Sequence, residues 1–379
     1  MPKNTSLYRQ DTEWDQLWNE AQQHDAAIAL WRLPNSETRS ILIDTQGGHV
    51  TDSLDLQSFE PGFMAAPFFG NPYFLKAEYL FVSELPSVHV SVKEVFPLKT
   101  GSPKKENFLY WVNAGIQEIK AGNFQKVVLS RTDEEALGPE YSTLHFFESL
   151  CQVYPNAFVS AFYIPSLQQT WVCATPEVLV SLNHEGIFKT ISLAGTQPVS
   201  TNVGQVTIPQ EARWSQKEIE EQAFVSRYII ECFKKIRLRE YIENGPKTIQ
   251  AGNLLHLKTE YIVDTKALNF PQLPGIMLSL LHPTSAVCGT PKESAIDWIK
   301  QAEAYDREFY SGYLGPVNLN DEIYLFVNLR TVKITRDTNG YLATYYAGCG
   351  ITEDSDPEKE WEETEMKCQT LQRILSVNQ

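Results

Sequence analysis

Between two strand-like runs, IYLFVNLRTVKI (323–334) and YLATYYAG (341–348), stands the tetrapeptide DTNG (337–340). Asn-Gly tolerates the positive φ angles that a two-residue hairpin demands, so these runs read as two antiparallel neighbours. An antiparallel pair this long commits the chain to a sheet built by hairpins. The same signature recurs upstream. KVVLSR (126–131), AFVSAFYI (157–164), TWVCAT (170–175), VLVSL (178–182) and FKTISLAGT (188–196) are rich in β-branched and aromatic residues. Helical patterns come in blocks rather than between every strand. WSQKEIEEQAFVSRYIIECFKKI (214–236) places Ile219, Ala223, Ile230 and Phe233 on one side, and PKESAIDWIKQAEAYDRE (291–308) starts with Pro. Hairpin-joined strands with helices in blocks predict an α+β fold with antiparallel sheets, not a doubly wound parallel sheet.

The chain has 379 residues, long for one ordinary domain but within reach of a large α+β unit. No repeat or low-complexity linker divides it. The polar stretch LKTGSPKKENF (98–108) is the best candidate junction. It separates an N-terminal part (1–100) of short strand-like runs, such as AAIALWRLP and RSILID, from the rest (101–379). The net charge of −15, from 32 Lys and Arg against 47 Asp and Glu, argues against a nucleic-acid-binding face. The N-terminus MPKNTSLYRQ lacks an apolar signal core, and no apolar run approaches membrane-spanning length. Cys151, Cys173, Cys232, Cys288, Cys349 and Cys368 are scattered with no CxxC pair, which suits buried, reduced thiols in a cytoplasmic protein. No GxGxxG or P-loop pattern occurs, which disfavours nucleotide cofactors.

The acidic residues are less evenly spread. DPEKEWEETEMK (356–367) holds six carboxylates in twelve positions. Asp356 suits a helix N-cap and Pro357 its first position, and early acids meet the positive end of the helix dipole. That accounts for Glu358 but leaves the cluster over-supplied with like charge. A second cluster, KEIEEQ (217–222), opens the long helix. Glu218 and Glu221 stand three apart, as do Glu360 and Glu363, so each pair shares a helical face. Two such pairs could offer oxygen ligands to Mg²⁺, although for either pair alone a solvated acidic surface is the plainer reading.

The ordered set KVVLSR, TPE (175–177), SLAGT (192–196), KEIEE (217–221), LLH (254–256), HPTSAVCGTPK (282–292), LR (329–330), AGCGI (347–351) and E-x-x-E-T-x-x-K (360–367) resembles the chorismate-utilising enzymes. These include isochorismate, anthranilate, aminodeoxychorismate and salicylate synthases. The resemblance covers about residues 105–375 and leaves the first hundred residues divergent. It implies a single large domain of two packed antiparallel sheets flanked by helices. It also implies Mg²⁺ organised by Glu218, Glu221, Glu360 and Glu363 and holding the ring carboxylate of chorismate. Arg330 and Tyr310 resemble residues that grip the pyruvyl carboxylate. Gly195, Thr196, Gly348, Gly350 and Lys367 resemble positions around the ring carboxylate.

Within that family, Ala194 stands where aminodeoxychorismate synthases carry a covalently acting lysine. Lys126 matches the base that activates water in isochorismate synthases, a residue the ammonia-using anthranilate synthases lack. Glu177 matches the acid that protonates the departing C4 hydroxyl, and His256 a histidine near that hydroxyl. Ala286 is small where anthranilate and salicylate members tend to carry Thr, and Gln222 replaces a His of the amine-forming members. Tyr310 and Leu329 fit salicylate synthases at least as well. The resemblance therefore implies an isochorismate synthase that acts on chorismate with Mg²⁺. It implies neither a glutaminase subunit nor a nucleic-acid or membrane partner, and a monomer. Its product would feed menaquinone or a catechol siderophore. Salicylate synthesis and a non-catalytic metal-binding homologue are the alternatives.

Overall fold

A computed structural model describes residues 12–88, 90, 103–199, 201–202, 205–206, 212–251 and 254–375. Apart from a short two-stranded pair at 201–202 and 205–206, the described strands form two nine-stranded antiparallel sheets. The first runs, in spatial order, through Gly289–Thr290, Lys126–Leu137, Gly340–Ile351, Thr331–Asp337, Gln169–Thr175, Phe158–Ile164, Ala27–Arg32, Thr38–Asp44 and Tyr79–Glu84. The second runs through Ile242–Ala251, Leu254–Asp264, Ile187–Pro198, Val178–Leu182, Glu322–Val327, Tyr313–Leu319, Gly62–Ala66, Tyr73–Lys76 and His49–Val50. This is the predicted α+β architecture. The hairpin at 337–340 is tight as expected, but its tip lies one residue before the Asn-Gly pair, and only Gly340 takes a positive φ, 147°. Asp337 pairs with Gly340, so Thr338 and Asn339 form its tip.

Burial explains why so many strands lack a polar–apolar alternation. Every residue of Ala27–Arg32 is buried. Ile28 and Leu30 join the cluster beneath the helices Thr12–Gln23, Thr143–Val153 and Pro357–Leu375. Ala27, Ala29 and Trp31 join the layer between the sheets. Both faces of such a strand are covered, so both must be apolar. The inter-sheet layer is aromatic, with Phe158 stacked on Phe326 at 4.1 Å and 6°. Strands from before the candidate junction at 98–108 pair with strands after it: Ala27–Arg32 with Phe158–Ile164, and Gly62–Ala66 with Tyr313–Leu319. Residues 98–102 lie outside the described residues, and 103–108 begin the helix Pro103–Lys120.

Three local readings change. The run 323–334 is two strands in different sheets, Glu322–Val327 and Thr331–Asp337. The chain crosses between sheets at Asn328–Arg330, and Arg330 takes a φ of 46°. The helix expected over 291–308 ends at Ala302. Beyond it the Glu303 carboxylate is drawn inward to Arg307 at 2.6 Å and to the Ser130 backbone N–H at 2.7 Å. On the helix Gln216–Lys235 the buried stripe is Gln222, Val225, Ile229, Cys232 and Phe233, while Ile219 is exposed. Gln222 turns the helix, because its amide donates to Ser192 Oγ at 2.8 Å in the sheet below.

The six cysteines are free and buried. Among the described residues, no helix is long and apolar enough to cross a membrane.

Candidate active site

The two sheets part around a cavity at the crossing point. Its walls include Glu177, Gly195, Thr196, Glu221, His256, Ala286, Tyr310, Leu329, Arg330, Gly348, Gly350 and Lys367, twelve of the residues expected from the sequence. Lys126 lies beneath this wall with no exposed surface, its ammonium 3.0 Å from Glu221 Oε1. Gly350 makes that pairing possible: a Cβ there would stand 2.4 Å from Glu221 Oε1 and 2.9 Å from Lys126 Cε. Burial works to raise the Glu221 pKa, but Lys126 and then Lys217 outweigh it and hold the carboxyl down at about 2.

Glu177 has the opposite environment. It sits between strands in the TPE turn and is 3 % exposed. Burial pushes its pKa up to about 8, and the more distant charges of Lys126, Arg330 and Lys367 offset this only in part. The cavity thus has a proton-bearing carboxyl and an ionised carboxylate paired with lysine.

His256 is a connector. Its Nδ1 lies 2.9 Å from the Gly195 carbonyl, which can only accept, so Nδ1 carries the proton. Its Nε2 then accepts from Arg330 Nη2 at 2.7 Å. Burial first, and the Arg330 charge second, lower its pKa to about 3, so the ring is neutral. The chain Gly195–His256–Arg330 fixes the guanidinium of a residue whose backbone is already in the left-handed region. Gly195, at φ +72°, needs glycine for its own turn and donates its N–H to Glu221 Oε2 at 3.3 Å. Tyr310 stacks on Tyr346 at 5.5 Å, and its hydroxyl occupies the space that a side chain at Gly348 would need.

The other expected metal residues flank this cavity. Lys367 donates to Glu363 Oε1 and to the Gly348 carbonyl, both at 2.7 Å. Lys217 forms an ion pair with Glu360 Oε1. Glu218 acts locally. Its carboxylate accepts the Ser215 backbone N–H at 2.6 Å and the Gln197 side-chain amide at 3.1 Å, tying down the helix start. Asp356 Oδ1 likewise accepts the Glu358 N–H at 3.0 Å, the predicted cap. Among the described residues, no three His, Cys, Asp or Glu side chains converge on one point. The donor chemistry nevertheless suits a hard cation. Glu360 is 1 % exposed, its Oε2 is buried without a hydrogen-bond partner, and burial and neighbouring Glu363 raise its pKa. A buried carboxylate oxygen without a donor is costly unless something positive meets it.

Sequence reasoning missed Lys217 as a partner of the acids, although it heads the KEIEEQ motif. It also missed the apolar lining from Val128, Leu193, Val287 and Tyr346, whose residue types look like ordinary core.

Two packed nine-stranded sheets enclosing paired acid and base groups define an enzyme of the large α+β type. The chain belongs to the chorismate-binding enzyme family, whose model matches residues 77–376. Isochorismate synthase DhbC of Bacillus subtilis is 27 % identical over 283 residues, which is 73 % of this chain and 69 % of DhbC. The vibriobactin-specific isochorismate synthase of Vibrio cholerae is 26 % identical over 273 residues, 71 % of this chain and 67 % of that protein. The structure of MenF, the menaquinone-specific isochorismate synthase of Escherichia coli, superposes with a TM-score of 0.74 at 18 % identity, covering 99 % of this chain and 93 % of MenF. That last likeness speaks to the fold alone.

Proposed function

We propose that the protein is an isochorismate synthase, an isomerase that adds water at C2 of chorismate and expels the C4 hydroxyl. The observation that carries this reading is the contrast between Glu177, on the cavity wall and holding its proton to a pH of about 8, and Glu221 on the same wall, ion-paired with Lys126 beneath it. An allylic 1,5-substitution needs that contrast. In this reading Lys126 is the base that takes the water's proton as the C2–O bond forms. The ring double bonds shift, the C4–O bond breaks, and Glu177 gives its proton to the leaving hydroxyl. One water enters and one leaves, so composition is unchanged.

Arg330 suits the pyruvyl carboxylate through its planar fork, and Tyr310 lies on the same wall. Gly195, Thr196, Gly348, Gly350 and Lys367 present backbone and ammonium groups to the ring carboxylate. His256, neutral and committed to Arg330, aims that guanidinium rather than passing a proton. Glu221, Glu360 and Glu363 would hold Mg²⁺, which when bound would neutralise the ring carboxylate. Glu218 supports the helix that carries Glu221.

A second reading, salicylate synthesis by elimination of pyruvate from isochorismate, draws on Tyr310 and Leu329, which both line the cavity. Turnover in ¹⁸O-labelled water tests the first reading. Label in the C2 hydroxyl of isochorismate supports water attack. Unlabelled isochorismate, or salicylate with one pyruvate per turnover, refutes it.

A further inference from the structure

The three carboxylates assigned to the metal are each paired with a lysine: Glu221 with Lys126, Glu363 with Lys367, and Glu360 with Lys217. These pairs are not equivalent. Lys126 is fully buried beneath the cavity. Lys367 is anchored twice, on Glu363 and on the Gly348 carbonyl. Lys217 is held by Glu360, and 24 % of its side chain reaches solvent from the first turn of its helix. Its partner is the most deeply buried of these acids and the one with an orphaned oxygen.

We propose that the Lys217 ammonium is an internal placeholder for the dication, neutralising Glu360 in the metal-free protein and released to solvent when the metal binds. The inference rests on the Mg²⁺ reading above. A buried carboxylate needs a counter-charge, and a lysine is a compact cation on a flexible stem, able to fill that role and then leave. The geometry agrees with this. Lys217 lies in the first turn of the helix that also carries Glu221, and its ammonium pairs with Glu360 on the last helix.

Charge balance points the same way. Lys126, Lys217, Lys367 and Arg330 already outnumber Glu221, Glu360 and Glu363 by one charge. A dication entering with the chorismate dianion adds no net charge. The metal alone adds two, and the outward swing of Lys217 removes one of them from the interior. Metal binding is then an exchange of cations, and its affinity is set partly by how firmly residue 217 holds Glu360.

The test compares wild type with Lys217→Met and Lys217→Arg, without chorismate, at mildly alkaline pH. Mg²⁺ is titrated by calorimetry, and Tm is recorded in EDTA and in saturating Mg²⁺. Lys217→Met should melt lower in EDTA, recover with Mg²⁺, and bind Mg²⁺ about tenfold tighter, the order of one partly buried charge pair. Lys217→Arg, which can hold the carboxylate with two N–H groups, should bind Mg²⁺ more weakly than wild type. Equal or weaker Mg²⁺ binding by Lys217→Met overturns the placeholder while leaving the metal reading intact. Absence of heat and of a Tm shift in wild type and both variants overturns the metal reading, and the placeholder with it.

Discussion

Replacing Glu177 by Gln should change how the protein's stability depends on pH, in a way only a buried, proton-bearing carboxyl can produce. Glu177 is 3 % exposed, and burial raises it from 4.5 to about 8 against the partial opposition of Lys126, Arg330 and Lys367. Between those values the folded protein holds a proton that the unfolded chain has lost. The contribution of Glu177 to stability is therefore fully present below about pH 4.5 and falls as pH rises, by about 1.4 kcal/mol per unit, until it levels off above pH 8. Gln keeps the shape and cannot ionise. The difference in unfolding free energy, Gln variant minus wild type, should thus climb by about 4 kcal/mol between pH 5 and pH 8. Urea denaturation followed by tryptophan fluorescence, with metal removed by EDTA, measures it; other titrating groups cancel in the difference. In turnover the same variant should lose about 10²- to 10⁴-fold in kcat. Wild-type activity should fall as pH rises through about 8, where Glu177 loses its proton. Parallel stability curves for the two proteins would refute the reasoning, because Glu177 would then be an ordinary ionised carboxylate.

The other groups make separate demands. Lys126→Ala should cut kcat by about 10²-fold or more while chorismate binding, measured by calorimetry, stays within a few-fold of wild type. Gly350→Ala would place a Cβ 2.4 Å from Glu221 Oε1; it should cost about 1–3 kcal/mol in denaturant unfolding and disable turnover by parting Glu221 from Lys126. Arg330→Lys loses the fork that His256 orients, so KM for chorismate should rise on the order of tenfold with a smaller change in kcat, read from steady-state kinetics.

Local patterning made much of this molecule legible. Val178–Leu182 coincides with its apolar run, and Asp356 caps the last helix as its residue type suggests. Twelve of the expected residues fall on one cavity, because an ordered set of motifs carries information that no single motif does. What escaped depends on long-range partners. Residues 323–334 read as one continuous strand, and nothing local says that Asn328–Arg330 leaves one sheet for the other. Arg330 adopts its left-handed backbone at a crossing between sheets, with its side chain pinned by His256, a residue 74 positions away. Ile219 fits a buried stripe by spacing, but polar Gln222 binds the sheet through Ser192 and turns the helix away. Glu218 has the spacing of a metal ligand, and spacing alone does not reveal its bonds to Ser215 and Gln197 at the helix start. Lys217 shows the same limit, since its partner Glu360 lies 143 positions away.

The most direct test of the central claim is product identity. Purified protein would be incubated with chorismate and Mg²⁺, with neither ammonia nor glutamine present, and the products separated by chromatography. The account predicts isochorismate as the product, formed without pyruvate release and lost in the Lys126 and Glu177 variants. Turnover that begins only when ammonia is added would contradict it, because water activated by Lys126 would then not be the nucleophile.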